Sequence, residues 1–215
     1  MKIIFCKISA MKYYKGASQK DIPYNGGSYV NENGFGNEQY NFAPVQLDDG
    51  KSYCLGFVET KTTSKSKRND LHIEKISGCE LLKKEDCVDG VLVVWCATTD
   101  LNETSIIGWY TDATVYRTYQ NAEFDSGYNQ EFNVLANKEN CVLLPHGERH
   151  RHIWNAPTAK KRTYGFGQSM IWYATEEVAA TYIEKLAKQI SEYSGENWID
   201  KSAEDIDGDV LEYIT

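Results

Sequence analysis

Three tryptophans sit in apolar runs of the chain: Trp95 in GVLVVWCA, Trp109 in IIGWYTDATVY and Trp172 in GQSMIWYA. An indole offers a wide flat face, and a planar heterocycle stacked on one gains about 1 to 3 kcal/mol. Trp95, Trp109, Tyr110 and Trp172 are therefore candidate walls of a pocket for such a ring. The amides of Asn31, Asn41 and Gln168 and the hydroxyl of Ser169 are candidates for its polar edge, because each can donate and accept. The competing reading is that the rings fill a core, as strand tryptophans commonly do. Alternation along a strand puts Trp109 on one face with Thr111, and Gly108 with Tyr110 on the other.

Cations cluster at Lys65, Lys67 and Arg68, and again at Arg149, Arg151, Lys160, Lys161 and Arg162. The second group is the candidate phosphate-binding set, since guanidinium and ammonium groups neutralise phosphate oxygens. It overlaps HGERHRH, with His146, Glu148, His150 and His152. On a strand, His150 and His152 would point to one side and could begin a metal site. Two arginines flank them and no nearby Asp or Cys completes a ligand set, so no metal is expected. His150 and His152 remain the weak candidates.

Motifs for catalysis are missing. DLHIEKI holds Asp70, Glu74 and Lys75, but a carboxylate and lysine that share a strand face must be two apart, and these are adjacent. DIDGD (Asp205, Asp207, Asp209) lacks the closing glutamate of a calcium loop. No P-loop, GxGxxG or GxSxG string occurs. No catalytic residue and no cofactor are expected.

The formal charge of −8 lies in one place. Residues 176–215 carry 11 acidic and 3 basic side chains, which leaves residues 1–175 balanced. A polyanion can therefore approach the body despite the acidic whole. Six scattered cysteines without a CxxC pair indicate free, mostly buried thiols and a reducing, cytoplasmic setting. No apolar run reaches the roughly 18 residues of a membrane span, and the opening residues do not read as a signal peptide.

Short β-type runs dominate to residue 175. Strands are predicted at Lys2 to Ile8, Tyr53 to Thr60, Leu71 to Ile76, Gly90 to Ala97, Ser105 to Tyr119 with a break at Asp112, Asn140 to Leu144, and Gly167 to Ala174. The Gly90 run, almost all apolar, should be buried on both faces. Pro23 to Phe42, rich in Gly, Asn and aromatics, reads either as an ordered loop over the barrel mouth or as a long surface loop pinned by aromatic anchors. After an N-cap at Thr175 the period becomes helical, with Ala179, Tyr182, Ile183, Leu186, Ile190 and Tyr193 on one stripe and Gly195 as the stop. Three segments result: a barrel at 1–175, a helix packed on it at 176–195, and an acidic tail or linker at 196–215.

Several strings in order, KIIFCKI, GGSYVNENG, VVWCA, IIGWYTDA, ATVYR and GQSMIWYA, resemble the PUA-like superfamily, especially its EVE, ASCH and YTH branches. More narrowly they look like the N-terminal module of some bacterial HNH endonucleases. Gln168 and Ser169 match that module, whereas Met170 replaces the asparagine of its GQSN string. The resemblance implies an α+β fold built on a small open β-barrel with flanking helices and a C-terminal amphipathic helix. It implies a non-catalytic nucleic-acid reader, DNA before RNA, that holds a modified, flipped base in an aromatic cage and acts in restriction or phage defence with a nuclease partner. A metal-dependent hydrolase or nuclease near His150 and His152, and a protein-interaction module using the acidic tail, are the alternatives.

Overall fold

The computed structural model describes residues 1–25, 36–60, 68–124 and 127–204. They form one mixed sheet of eight strands and one sizeable helix, an α+β protein dominated by sheet. The strands are β1 (Ile3–Ile8), β2 (Pro44–Gln46), β3 (Ser52–Gly56), β4 (Cys87–Thr98), β5 (Thr104–Glu123), β6 (Asn129–Asn137), β7 (Cys141–Leu143) and β8 (Ile171–Trp172). Their order is β2-β3-β6-β5-β4-β1-β8, with β7 added to β5. The sheet is open, with β2 and β8 at its two edges. Helix α1 spans Ala180–Ser191; the other helical pieces among the described residues are single 3₁₀ turns.

Among the described strands β1 and β4 alone pair in parallel, Ile3 opposite Leu92 and Cys6 opposite Trp95. Strands so placed are covered on both faces, and Val91, Val93, Val94, Trp95, Cys96 and Ala97 of β4 are all buried. One face carries Ile4, Cys6, Ile8, Val93, Trp95 and Tyr110. The other carries Ile3, Phe5, Val94, Cys96, Trp109 and Trp172, and receives Leu186 and Ile190 of α1. Tyr182, Leu186 and Ile190 recur every four residues, so they form the stripe that seats the helix.

Several sequence expectations change; of the strand expected at Gly167 to Ala174 only Ile171–Trp172 forms. Ser105 to Tyr119 does not break at Asp112; the strand runs on with Asp112 at φ 50, a left-handed conformation that a short polar side chain tolerates. Opposite it the β4 register shifts between Val91 and Val93, so the strand bends instead of ending. Leu71 to Ile76 is not a strand but a loop with a 3₁₀ turn at Ile73–Lys75. The guanidinium of Arg117 on β5 holds that loop: it donates to Glu74 Oε2 at 2.7 Å and to the carbonyls of Glu85 and Leu82 at 2.9 and 2.8 Å. The helix starts at Ala180 after a 3₁₀ turn, and Thr175 does not cap it. The segment after it stays on the body as far as Asp200: Asn197 accepts from the Leu143 N–H and donates to the Cys141 carbonyl.

Gly108 of β5 is a close-approach position. A Cβ there would lie 2.3 Å from the Val142 carbonyl oxygen and 2.8 Å from the Phe42 ring. Gly108→Ala is expected to cost about 3 kcal/mol, the upper part of the overpacking range, because backbone cannot yield as a side chain can. A denaturant midpoint equal to that of the parent chain would contradict this.

Burial acts to raise the Glu74 carboxyl, but its bonds with Arg117 and His72 outweigh that and bring it to about 2 from an ordinary 4.5. A depressed carboxyl stabilises the fold above its unfolded value, and that contribution is lost as pH falls through the folded one. In thermal melts the deficit of Glu74→Gln should be constant above about pH 5, fall progressively below it and be gone by about pH 1. A deficit unchanged between pH 5 and pH 1 would show that the side chain acts by packing.

Candidate functional site

The three indoles do not form a common pocket. Residues directly opposite each other in a sheet share a face. Trp95 is opposite Cys6 and Gly108, whereas Trp172 is opposite Phe5, one residue out of step, and Trp109 is one step from Gly108. Trp95 therefore lies on one face and Trp109 and Trp172 on the other, with exposures of 0%, 2% and 5%. Each packs against neighbouring rings. Trp95 meets Tyr110 edge-on at 5.3 Å; Trp109 stacks on Trp154 at 5.4 Å; Trp172 leans on Phe5 at 4.5 Å and donates its Nε1–H to Glu176.

The expected edge contacts are distributed in the same way. Tyr110 is buried and its hydroxyl donates to the Asn41 carbonyl. The Asn41 amide is spent on the Phe57 backbone, donating to its carbonyl at 3.0 Å and accepting its N–H at 2.8 Å. Gln168 is exposed on the turn before β8, where the Ser169 hydroxyl accepts from the Ile171 N–H at 3.1 Å. Asn31, Lys65 and Lys67 lie outside the described residues.

Arg149 is not available to a phosphate. It is 2% exposed, and its guanidinium donates to the carbonyls of Leu144, Met11 and Lys12 at 2.8, 2.6 and 2.6 Å. It fastens the loop after β7 to the loop after β1. Arg151 is exposed and paired with Glu148 at 2.7 Å. His150 and His152 diverge, because Glu148–His150 and His152–Trp154 are separate 3₁₀ turns and not a strand. His150 Nδ1 faces Asp100 at 3.8 Å and its ring meets His146 edge-on, while His152 contacts Asn155. Burial, with Arg149 and His150 adding to it, lowers the His146 pKa. Among the described residues no group of three His, Cys, Asp or Glu side chains could hold a metal.

Lys160, Lys161 and Arg162 remain on the surface, beside a groove that the sequence did not reveal. It holds about 500 Å³ between α1 and the segment 152–164, and its lining includes His152, Asn155, Arg162, Tyr164, Tyr182 and Lys185. Among the described residues two cations line it and no carboxylate does. Arg162 donates to the Tyr164 hydroxyl at 2.8 Å and lies over its ring at 5.8 Å. Tyr164 is half-buried and backs onto Trp172, nearly parallel at 6.0 Å. Burial raises the Tyr182 pKa, so its hydroxyl stays a donor, 3.5 Å from the Asn155 carbonyl. A recess of about 130 Å³ continues the groove past Asn155 and Arg162 to Lys161, which approaches Glu103 at 3.8 Å.

A larger hollow of about 840 Å³ opens elsewhere, between Lys51, Lys138, Glu139 and Asp200. The charges of its described lining cancel, Lys138 is bound to Asp200 at 2.6 Å, and none of the described lining residues is aromatic. Those residues offer nothing on which a ring could stack. Of the smaller groove's residues, Tyr182 was legible only as part of the core stripe and Lys185 was not singled out. Their sequence signal, a lysine three residues after a tyrosine on a helix, is too common to single out.

Compared with protein-family models, with curated proteins and with solved structures, the chain matches none. The PUA-like resemblance of its strings therefore stands on those residues alone.

Replacing Arg149 with Met would leave three carbonyls without their donor. Orphaned buried acceptors cost about 1 to 3 kcal/mol each, so a loss on the order of 3 kcal/mol is expected. For a chain of this length that is about 6 to 12 °C in Tm. Should Arg149 instead act mainly as a phosphate contact, the variant would melt with the parent and bind nucleic acid less.

Proposed function

We propose that the chain binds nucleic acid in the groove between α1 and residues 152–164, taking phosphates on Arg162 and Lys185 and a base on the Tyr164 ring. The observation that carries this is a groove whose described lining holds two cations and no carboxylate in a chain of formal charge −8. Phosphate binding depends on the local field and not on net charge. Tyr164 suits a base that has left its stack, because its ring is braced by Trp172 and need not be ordered on binding. Lys160, exposed beside Lys161, extends the cationic surface, while Lys161 is drawn toward Glu103 in the recess that joins the groove. In this reading the buried indoles support the tyrosine and do not touch the ligand.

The groove admits one base and not a duplex, so the substrate is a single strand or a base rotated out of a helix, a step that costs a few kcal/mol. Binding of a labelled 12-nucleotide single strand, followed by fluorescence anisotropy over a salt series, separates the two kinds of contact. Arg162→Ala and Lys185→Ala should each weaken binding and reduce the log–log salt slope by about 0.7. Tyr164→Ala should weaken binding by about 5- to 150-fold, equivalent to about 1 to 3 kcal/mol of stacking, and leave the slope unchanged. Affinity indifferent to ionic strength, or to all three substitutions, would remove the proposal.

A further inference from the structure

Glu103 is the single carboxylate among the described residues of the groove beside α1 and of the recess that continues it. Its backbone is fixed at the foot of the β4–β5 turn, where its carbonyl accepts the Thr99 N–H at 2.9 Å. The Ala156 N–H donates to the Thr104 carbonyl at 2.8 Å, which ties the segment 152–164 to the same turn. The side chain, by contrast, is loosely engaged. Its Oε1 is 3.8 Å from Nζ of Lys161, a side chain 72% exposed, and its Oε2 is 3.5 Å from the Asn155 amide, the far limit of a hydrogen bond. Exposed ion pairs of this kind contribute little. The Asn155 amide has a defined orientation all the same. Its Nδ2 faces Glu103 and, at 3.2 Å, His152 Nδ1, and turning it over would set Oδ1 against the carboxylate. In that orientation Oδ1 is buried with no donor among the described residues.

A carboxylate repels phosphate, so the recess suits a part of the ligand that brings N–H donors and no anion. An ionised carboxylate accepts and never donates, and its two oxygens match two adjacent N–H groups. Guanine alone among the common bases presents two such groups, N1–H and N2–H, side by side. Thymine and uracil set their N3–H between two carbonyl oxygens, and adenine and cytosine set a ring nitrogen lone pair beside the amino group; a carboxylate repels both. At about 130 Å³ the recess admits the edge of one base. The geometry points to selection of guanine: the ring lies on Tyr164, and its N1–H and N2–H donate to Glu103, displacing the loose contact with Lys161. Such selectivity rests on the nucleic-acid reading of the same groove.

Fluorescence anisotropy with 12-nucleotide thymine strands that carry one central guanine, hypoxanthine, adenine, cytosine or thymine tests the selection. The guanine strand should bind about 5- to 150-fold more tightly than the all-thymine strand, the range of one bidentate base contact. Hypoxanthine, which lacks only the N2 amino group, should lose most of that gain. In Glu103→Gln the guanine-to-thymine ratio should lose most of its value, and a ratio taken on one protein sample is blind to any unfolded fraction. Equal affinity for all five strands, tighter binding of adenine or cytosine than of guanine, or a guanine preference that persists in Glu103→Gln would overturn the selection. Calorimetric titration with guanosine, inosine and uridine monophosphates separates it from the strand reading. Preferential binding of guanosine monophosphate with no strand bound keeps the guanine recess and removes the strand; a strand held through Arg162 and Tyr164 without base preference does the reverse.

Discussion

The pairing of β1 with β4 fixes which side of the sheet every large ring must occupy. Parallel neighbours in a sheet are joined by long connections and packed on both faces, and here Ile4, Cys6 and Ile8 go to one side while Ile3 and Phe5 go to the other. Because Cys6 is opposite Trp95 and Phe5 is opposite Trp172, the two indoles are separated by the thickness of the sheet. A one-residue slip would exchange the faces and force each set of side chains into the core layer shaped for the other. The side that receives Trp109 and Trp172 is the side on which α1 packs, so the groove beside the helix has a braced floor of aromatic rings.

The long connection between β1 and β4 must satisfy its own backbone, and buried polar side chains do this. Glu38, buried, accepts the Ser9 N–H at 2.9 Å, and burial raises its pKa. Asp21 accepts the N–H groups of Lys12 and Tyr13, and the Tyr14 hydroxyl bridges the Ser9 carbonyl and the Met11 N–H. Arg149 closes the same region from the far end of the chain. An unpaired buried backbone group costs as much as a lost hydrogen bond or more, so these residues are constrained by the loop path. Their polar character does not make them ligand contacts.

The periodic features were legible in the sequence. β1, the apolar β4, the opposed faces of Trp109 and Tyr110, and the helical stripe from Ala179 to Ile190 all follow from spacing. β6 was not, since Asn129–Asn137 mixes Asn, Gln and Glu with its apolar residues and carries little strand signal. Alternation within one strand also leaves the register between strands open, and that register decides whether Trp95 meets Trp109. Arg149 read as one cation in a basic cluster because its three acceptors come from Met11, Lys12 and Leu144, two of them more than a hundred residues away. Arg162 and Lys185 were split between two segments, and only the seat of α1 brings them to one groove.

Net charge is therefore a poor guide to the partner of this chain. Of the cations read as one cluster, Arg149 is consumed by carbonyls, Arg151 by Glu148, and Lys161 is drawn toward Glu103. Arg162 differs because its neighbour is a neutral phenol, which accepts its hydrogen bond without cancelling its charge. Lys185 extends from the exposed side of a helix whose buried side is already committed to Leu186 and Ile190. A cation serves a ligand where it is exposed and its neighbours are aromatic or neutral; Arg149 fails by burial, Arg151 and Lys161 by their carboxylates. The groove beside α1 meets that condition, whereas the larger hollow, with Lys138 bound to Asp200, does not.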